Sequence, residues 1–178
     1  SSERIMGRWM RARGSRDEVT VCTKVTVGGG SPENIARALE GSLERLQTDR
    51  IDVHKMHSWN DDASIDETLA GLAVGVGAGQ VGVIGCSNYS AAQLQASIDA
   101  SAAGGDCRYE VLQPEYNLLE RGIETDLLPF CRREETAVTT YSPLAAGFLT
   151  GKYTPDESHV EPGSRFDVMP LFVDMYFS

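Results

Sequence analysis

The chain has 178 residues, 41% of them hydrophobic and 24% charged, which suits one domain with its own core and excludes a disordered chain. The formal net charge of -10 argues against a nucleic-acid partner, because phosphate backbones are held by clustered Lys and Arg. No apolar run is long enough to span a membrane and no basic-then-apolar leader opens the chain, so we expect a cytoplasmic protein; Ser1 in place of Met suggests that the true start lies upstream.

Apolar strand-like runs begin near Val19, Ile51, Val81, Tyr109 and Ala137, with helix-like segments in the intervals. The first interval holds the clearest helix, Ser31 to Gln47. Ser31 serves as N-cap, Pro32 sits at the first helical position, and Ile35, Leu39, Leu43 and Leu46 recur every three or four residues. A weaker helix follows Ser64. Its second half carries Gly71, Gly75, Gly77 and Gly79, each costing roughly 0.8–1 kcal/mol relative to Ala, so packing must hold it. Ser90 to Ala103 reads as a third helix capped by Ser90. Ile123 to Glu135 reads as a fourth, with Leu127, Leu128 and Cys131 on one stripe.

Strands and helices alternating over crossovers of this length imply parallel strands covered by helices. A doubly wound sheet and a (β/α)8 barrel share that grammar. No GxGxxG follows a strand, and Gly28, Gly29 and Gly30 lack its spacing. The cysteines Cys22, Cys86, Cys107 and Cys131 form no CxxC pair and read as reduced thiols; no metal site is expected.

Each strand ends on a chemically capable residue: Lys24, then His57, then Ser87 and Asn88, then Gln113, then Tyr141 and Ser142. Singly these are a solvated cation, a helix cap or core. Five in succession form a pattern, because parallel barrel strands bring their C-terminal ends to one rim. Alternation puts His54 on the face opposite His57 and Lys55 on the same face as His57, so two cations, Lys24 and Lys55, share one interior.

The segments VCTKV, SLERLQTDRIDVHKMHSW, GVIGCSNY, VLQPEYNLLER and YSPLAAGFLTGKY, in this order and spacing, resemble the central motifs of the aldo-keto reductases. The resemblance covers roughly Glu3 to Tyr153 and implies an incomplete (β/α)8 barrel, with strands three to seven of eight. Residues 154–178 form a divergent tail. The resemblance further implies NADPH as cofactor and a small carbonyl compound as substrate, reduced to an alcohol by hydride transfer. Lys24 and His57 resemble two members of the catalytic tetrad of Asp, Tyr, Lys and His. Ser87, Asn88 and Gln113 look like the side chains that bind the nicotinamide carboxamide, and Tyr141 like the aromatic stacked on the ring. Ser142, Leu144, Gly147 and Lys152 resemble the loop along the cofactor pyrophosphate.

A whole barrel of this type takes about 250 residues. The tetrad's Tyr and Asp normally lie before the segment present here, and Tyr89, Tyr109, Tyr116 and Tyr153 fall in motifs with other positions. Turnover by this chain alone is therefore expected to be absent or very weak. The apolar end, with Leu171, Phe172, Val173, Tyr176 and Phe177, reads as a sticky tail, and open sheet edges would favour self-association. The alternative reading is a non-catalytic cofactor-binding or interaction module, similar to potassium-channel β subunits.

Overall fold

Parallel pairing in chain order organises the sheet. In the computed structural model, which describes residues 1–26, 28–104, 107–153, 162–169 and 176, five strands are hydrogen-bonded in the order β1-β2-β3-β4-β5. They are β1 (Cys22–Val25), β2 (Ile51–Met56), β3 (Val81–Ser87), β4 (Tyr109–Gln113) and β5 (Ala137–Val138), every pair parallel. Six α-helices stand beside them: α1 (Ser2–Arg13), α2 (Pro32–Leu46), α3 (Ile65–Gly77), α4 (Ala91–Gly104), α5 (Leu127–Arg133) and α6 (Arg165–Val168). The arrangement is that of a partial (β/α)8 barrel: a run of βα units whose sheet has two open edges, β1 and β5.

The core lies between sheet and helices. Val25, Met56, Ile84, Cys86 and Leu112 of the strands join Ile35, Leu39, Leu46, Leu69, Leu72, Leu94, Leu127 and Phe130 of the helices in one buried cluster. Each such side chain contributes roughly 1.5–3 kcal/mol by leaving water. Strand alternation turns the intervening residues, Lys24, Lys55, Gly85, Ser87 and Gln113, to the opposite, concave face.

The expected helix from Ser31 to Gln47 is α2, with the Ser31 side chain accepting from the Asn34 N–H at 3.3 Å and Gln47 closing the last turn at φ 54°. The helix after Ser64 forms as α3 behind a capping box of Ser64 and Glu67. Its glycines are not idle. A Cβ at Gly71 would lie 2.9 Å from Pro32 Cα, and one at Gly75 2.8 Å from Leu39 Cδ2 and 3.0 Å from Val81 Cγ2. The propensity lost at those positions lets α3 sit close against α2 and β3.

Three readings change. The first strand begins at Cys22 rather than near Val19, because a short 3-10 turn, Arg16–Glu18, occupies the approach and Val19 only ends it. The expected helix over Ile123 to Glu135 splits: a 3-10 turn at Gly122–Glu124 is followed by α5, which starts afresh at Asp126 and stops at Arg133. Pro129 lacks an N–H, which is tolerable only in a first turn, so α5 must start shortly before it. Third, α1 went unforeseen. Its arginines Arg4, Arg8, Arg11 and Arg13 mask the apolar stripe, and Gly7 packs so tightly that a Cβ would lie 2.5 Å from the Leu46 carbonyl oxygen.

Of the tail, Leu171, Phe172, Val173 and Phe177 lie outside the described residues. Phe166 is buried, its ring edge-on to Tyr153 at 4.7 Å and to Phe148 at 6.5 Å.

These contacts separate two glycines of α3. Gly77→Ala, with nothing within 4 Å of the new methyl, should stabilise the chain by about 0.5–1 kcal/mol. Gly75→Ala should destabilise it by about 1–3 kcal/mol through overpacking. Urea unfolding of both variants checks this; equal effects would mean that α3 is not seated as described.

Candidate functional site

The rim at the C-terminal ends of the strands gathers the expected residues into two neighbouring clusters. The first lies at β1 and β2. Lys24 is half-buried and in register with Lys55. His57 follows β2, exposed, its N–H donating to the Val25 carbonyl at 3.2 Å. Lys24 and His57 share a cleft of about 370 Å³ with Glu3, Met6 and Thr26, so the ammonium and the imidazole face one solvent-filled space. Among the described residues no tyrosine lines it, and the one carboxylate there, Glu3, is held by Thr23 and Arg45.

The second cluster joins β3, β4 and the chain past β5, with Asn88 at its centre. Asn88 has φ 60°, a left-handed conformation that asparagine tolerates better than most residues. Its N–H donates to the Gln113 carbonyl at 3.2 Å. Its Nδ2 donates to the His57 carbonyl at 3.0 Å and to Ser87 Oγ at 3.3 Å, and its Oδ1 accepts from the Tyr141 hydroxyl at 2.8 Å. Ser87, only 1% exposed, donates from Oγ to the Gln113 carbonyl at 2.6 Å. The backbone and side chain of one residue thereby fasten four strand ends. The Gln113 side chain differs: its Oε1 is buried and has no hydrogen-bond partner. A buried carbonyl oxygen left unpaired costs free energy and marks a place where a donor belongs.

Tyr141 is anchored by its backbone, the N–H donating to the Pro114 carbonyl at 3.1 Å, and burial pushes its phenol upward, with Glu115 adding to the shift. The loop beyond it is sharply wound. Ser142, Ala145, Ala146 and Gly147 all have positive φ, Gly147 at 106°. The Ser142 carbonyl accepts from the Ala145 N–H at 2.9 Å and from Asn117 Nδ2 at 3.0 Å, and the Leu144 carbonyl accepts from the Gly147 N–H at 2.8 Å. Tyr141, Ser142, Pro143, Leu144, Ala146 and Gly147 line a cleft of about 470 Å³.

Arg165, at the start of α6, completes that cleft, and the sequence reading passed it over. Only the cap signal at Ser164 could have hinted at it. Lys152 does not line the cleft; its ammonium lies over the Tyr153 ring at 5.1 Å, behind Gly147. His54, the rival of His57, is 1% exposed on the helix-facing side, with Nε2 buried and unpartnered. Among the described residues no group of His, Cys, Asp or Glu is placed to hold a metal ion, and no helix is long and apolar enough to cross a membrane.

A parallel βα sheet that presents Lys, His, amide and tyrosine side chains along one rim defines a barrel-type α/β protein with its site at the strand ends. The sequence matches the aldo/keto reductase family over residues 1–175, and the chain belongs to that family. It is 34% identical to the uncharacterized oxidoreductase YrpG of Bacillus subtilis over 94% of this chain and 56% of that protein. It is 34% identical to the aldo-keto reductase YhdN of the same organism, over 87% of this chain and 47% of that protein. It is also 34% identical to a probable voltage-gated potassium channel subunit beta of Oryza sativa, over 93% of this chain and 52% of that protein. The chain thus spans about half the length of these relatives.

Burial pushes the His54 imidazole down to about 4, with the Glu3 carboxylate opposing the shift. The unfolded chain protonates this group near its ordinary value of 6.5, so stability is full above that pH and falls between 6.5 and about 4. The loss should reach about 3 kcal/mol. Urea unfolding across this range should show the slope in the parent chain and lose most of it in His54→Leu; an unchanged slope in the variant would refute the assignment.

Proposed function

We propose that the protein containing this chain is an oxidoreductase of aldehydes or ketones that uses NADPH, and that this chain contributes the nicotinamide-facing part of its site. One observation carries the reading most: Gln113 Oε1 is buried without a donor beside Ser87 and Asn88, at the rim where Tyr141 presents a ring. A primary amide offers the missing N–H. When bound, the cofactor supplies hydride to a carbonyl carbon.

The chain's own residues then have distinct tasks. Gln113 accepts from the carboxamide, and Asn88 Oδ1, which keeps a second lone pair beyond the Tyr141 hydroxyl, accepts beside it. Ser87 holds Asn88 and the Gln113 backbone in place. Tyr141 offers the face on which the ring rests. The Ser142–Gly147 turn, with Leu144 on its rim and Arg165 opposite, receives the pyrophosphate; Lys152 supports the turn from behind Gly147.

At the other cluster His57 donates a hydrogen bond to the carbonyl oxygen, where negative charge develops as hydride arrives. The Lys24 ammonium favours the ionised form of a nearby proton donor and lowers that donor's pKa. Among the described residues no such donor lines the cleft, so on this reading catalysis needs a general acid from outside them.

A second reading, a non-catalytic cofactor-binding or interaction module, draws on the resemblance to the plant potassium channel subunit beta. The two readings share the cofactor site and differ in turnover by the whole protein.

Titration of the purified chain with NADPH, followed by Trp59 and Trp9 fluorescence, should show saturable binding on the order of micromolar. Gly147→Ala should weaken it about tenfold or more, because φ 106° excludes side chains and the turn must refold. Carbonyl-dependent NADPH oxidation by the chain should be absent or very weak. Substantial turnover, or no saturable signal, would contradict the proposal in opposite ways.

A further inference from the structure

The arginines of α1 have no task in that scheme. The chain is acidic, with 26 Asp and Glu against 16 Lys and Arg, yet α1 carries Arg4, Arg8, Arg11 and Arg13 and a single acid, Glu3. That acid is already engaged: it accepts from Thr23 Oγ1 and from Arg45 Nε of α2, each at 2.5 Å. Arg4 and Arg8 are exposed and stand four residues apart, so they share one helix face. Neither makes a hydrogen bond or an ion pair with a described residue.

Both line an open cleft of about 620 Å³ between α1 and the last turn of α2, with Arg4, Ile5 and Arg8 on one wall and Glu44, Arg45 and Gln47 on the other. The walls are fixed in place. Gly7 lets the helices approach until a Cβ would lie 2.5 Å from the Leu46 carbonyl oxygen, and Arg11 Nη1 donates to Gln47 Oε1 at 3.4 Å. Arg45 is positioned in advance: besides its bond to Glu3, its Nη2 donates to the buried Ser42 Oγ at 3.2 Å. Its Nη1 keeps no hydrogen-bond partner among the described residues. Three guanidiniums thus meet one carboxylate in the described lining, Glu44, which makes no ion pair there.

We propose that this cleft binds the phosphate group of a phosphate monoester, through Arg4, Arg8 and Arg45. A guanidinium presents a planar fork of N–H donors that matches phosphate oxygens. A monoester offers three terminal oxygens and, at about pH 8, close to two negative charges, so forks from two facing helices can share it and outweigh Glu44. A carboxylate brings two oxygens and a single charge and is held less well. Ile5, 62% exposed on the same wall, gives apolar surface to the organic group behind the phosphate. A soluble ester and a phosphatidate headgroup present this same chemistry. The inference does not rest on the cofactor site. Arg45 also borders the Lys24 cleft, whereas Arg4 and Arg8 line this one alone among the described clefts, so the test falls on them.

Amide spectra of the isotope-labelled chain at low salt, recorded with phenyl phosphate and with benzoate (the same ring bearing a carboxylate), test this. Phenyl phosphate should give saturable shifts at Arg4, Arg8 and Gln47 and bind about tenfold or more tighter than benzoate. The double variant Arg4→Gln, Arg8→Gln should weaken it about tenfold or more. Both side chains are exposed and unpaired among the described residues, so the variant should unfold in urea as the parent does. Sedimentation with vesicles of phosphatidylcholine, with and without phosphatidate, separates the two sources. Phosphatidate-dependent sedimentation that the double variant loses would put the phosphate on a lipid. Phenyl phosphate binding without sedimentation would put it on a soluble ester, and either result upholds the site. Benzoate binding as tightly as phenyl phosphate would overturn it. So would shifts at the strand-end rim alone, affinity that survives the double variant, or no response to either form of phosphate.

Discussion

The in-register parallel pairing of five strands is the constraint on which everything else depends. Because β1 to β5 are hydrogen-bonded in chain order, every strand end reaches the same rim, and residues far apart in sequence become neighbours. Lys24 meets Lys55, Lys55 meets Gly85, and Ser87 meets Gln113. A slip of one residue in any strand would turn its chemically capable side chain into the helix-facing core. The buried cluster of Met56, Ile84, Cys86 and Leu112 opposes such a slip, so the register is held from the apolar side and used on the polar side.

Asn88 converts that register into a shaped site. Its backbone and side chain bind the Gln113 and His57 carbonyls, Ser87 and Tyr141, tying four strand ends together. The satisfied polar groups make the rim rigid. At this rim, among the described residues, Gln113 Oε1 is buried without a hydrogen-bond partner, the feature on which the proposed cofactor site rests. Rigid support with one unsatisfied acceptor is what a binding site requires before its ligand arrives. The same reasoning separates the two histidines. His57 faces solvent at the rim, whereas His54, of opposite parity, is buried on the helix side of the sheet.

Much of this was legible in the sequence. The Ser31 cap, Pro32 and the apolar spacing of Ile35, Leu39 and Leu46 specified α2, and alternation alone separated His54 from His57. Other parts depended on tertiary contact. The glycines of α3 read as weaknesses until Pro32, Leu39 and Val81 were seen against them. The helix α1 was hidden by its arginines, because its burial rests on Gly7 and Met10. Arg165 meets the Tyr141 loop only in three dimensions, which no local pattern announces. Lys55 was visible as a second interior cation, but Gly85, which gives it room, looked like any strand glycine.

The central claim is that this run of βα units already builds the nicotinamide-facing surface. Amide chemical shifts of the isotope-labelled chain during addition of NADPH test it most directly. The account predicts shifts concentrated at Ser87, Asn88, Gln113 and the turn from Tyr141 to Gly147, with α2 and α3 unaffected. Shifts centred on the helical face, or none at saturating cofactor, would contradict it.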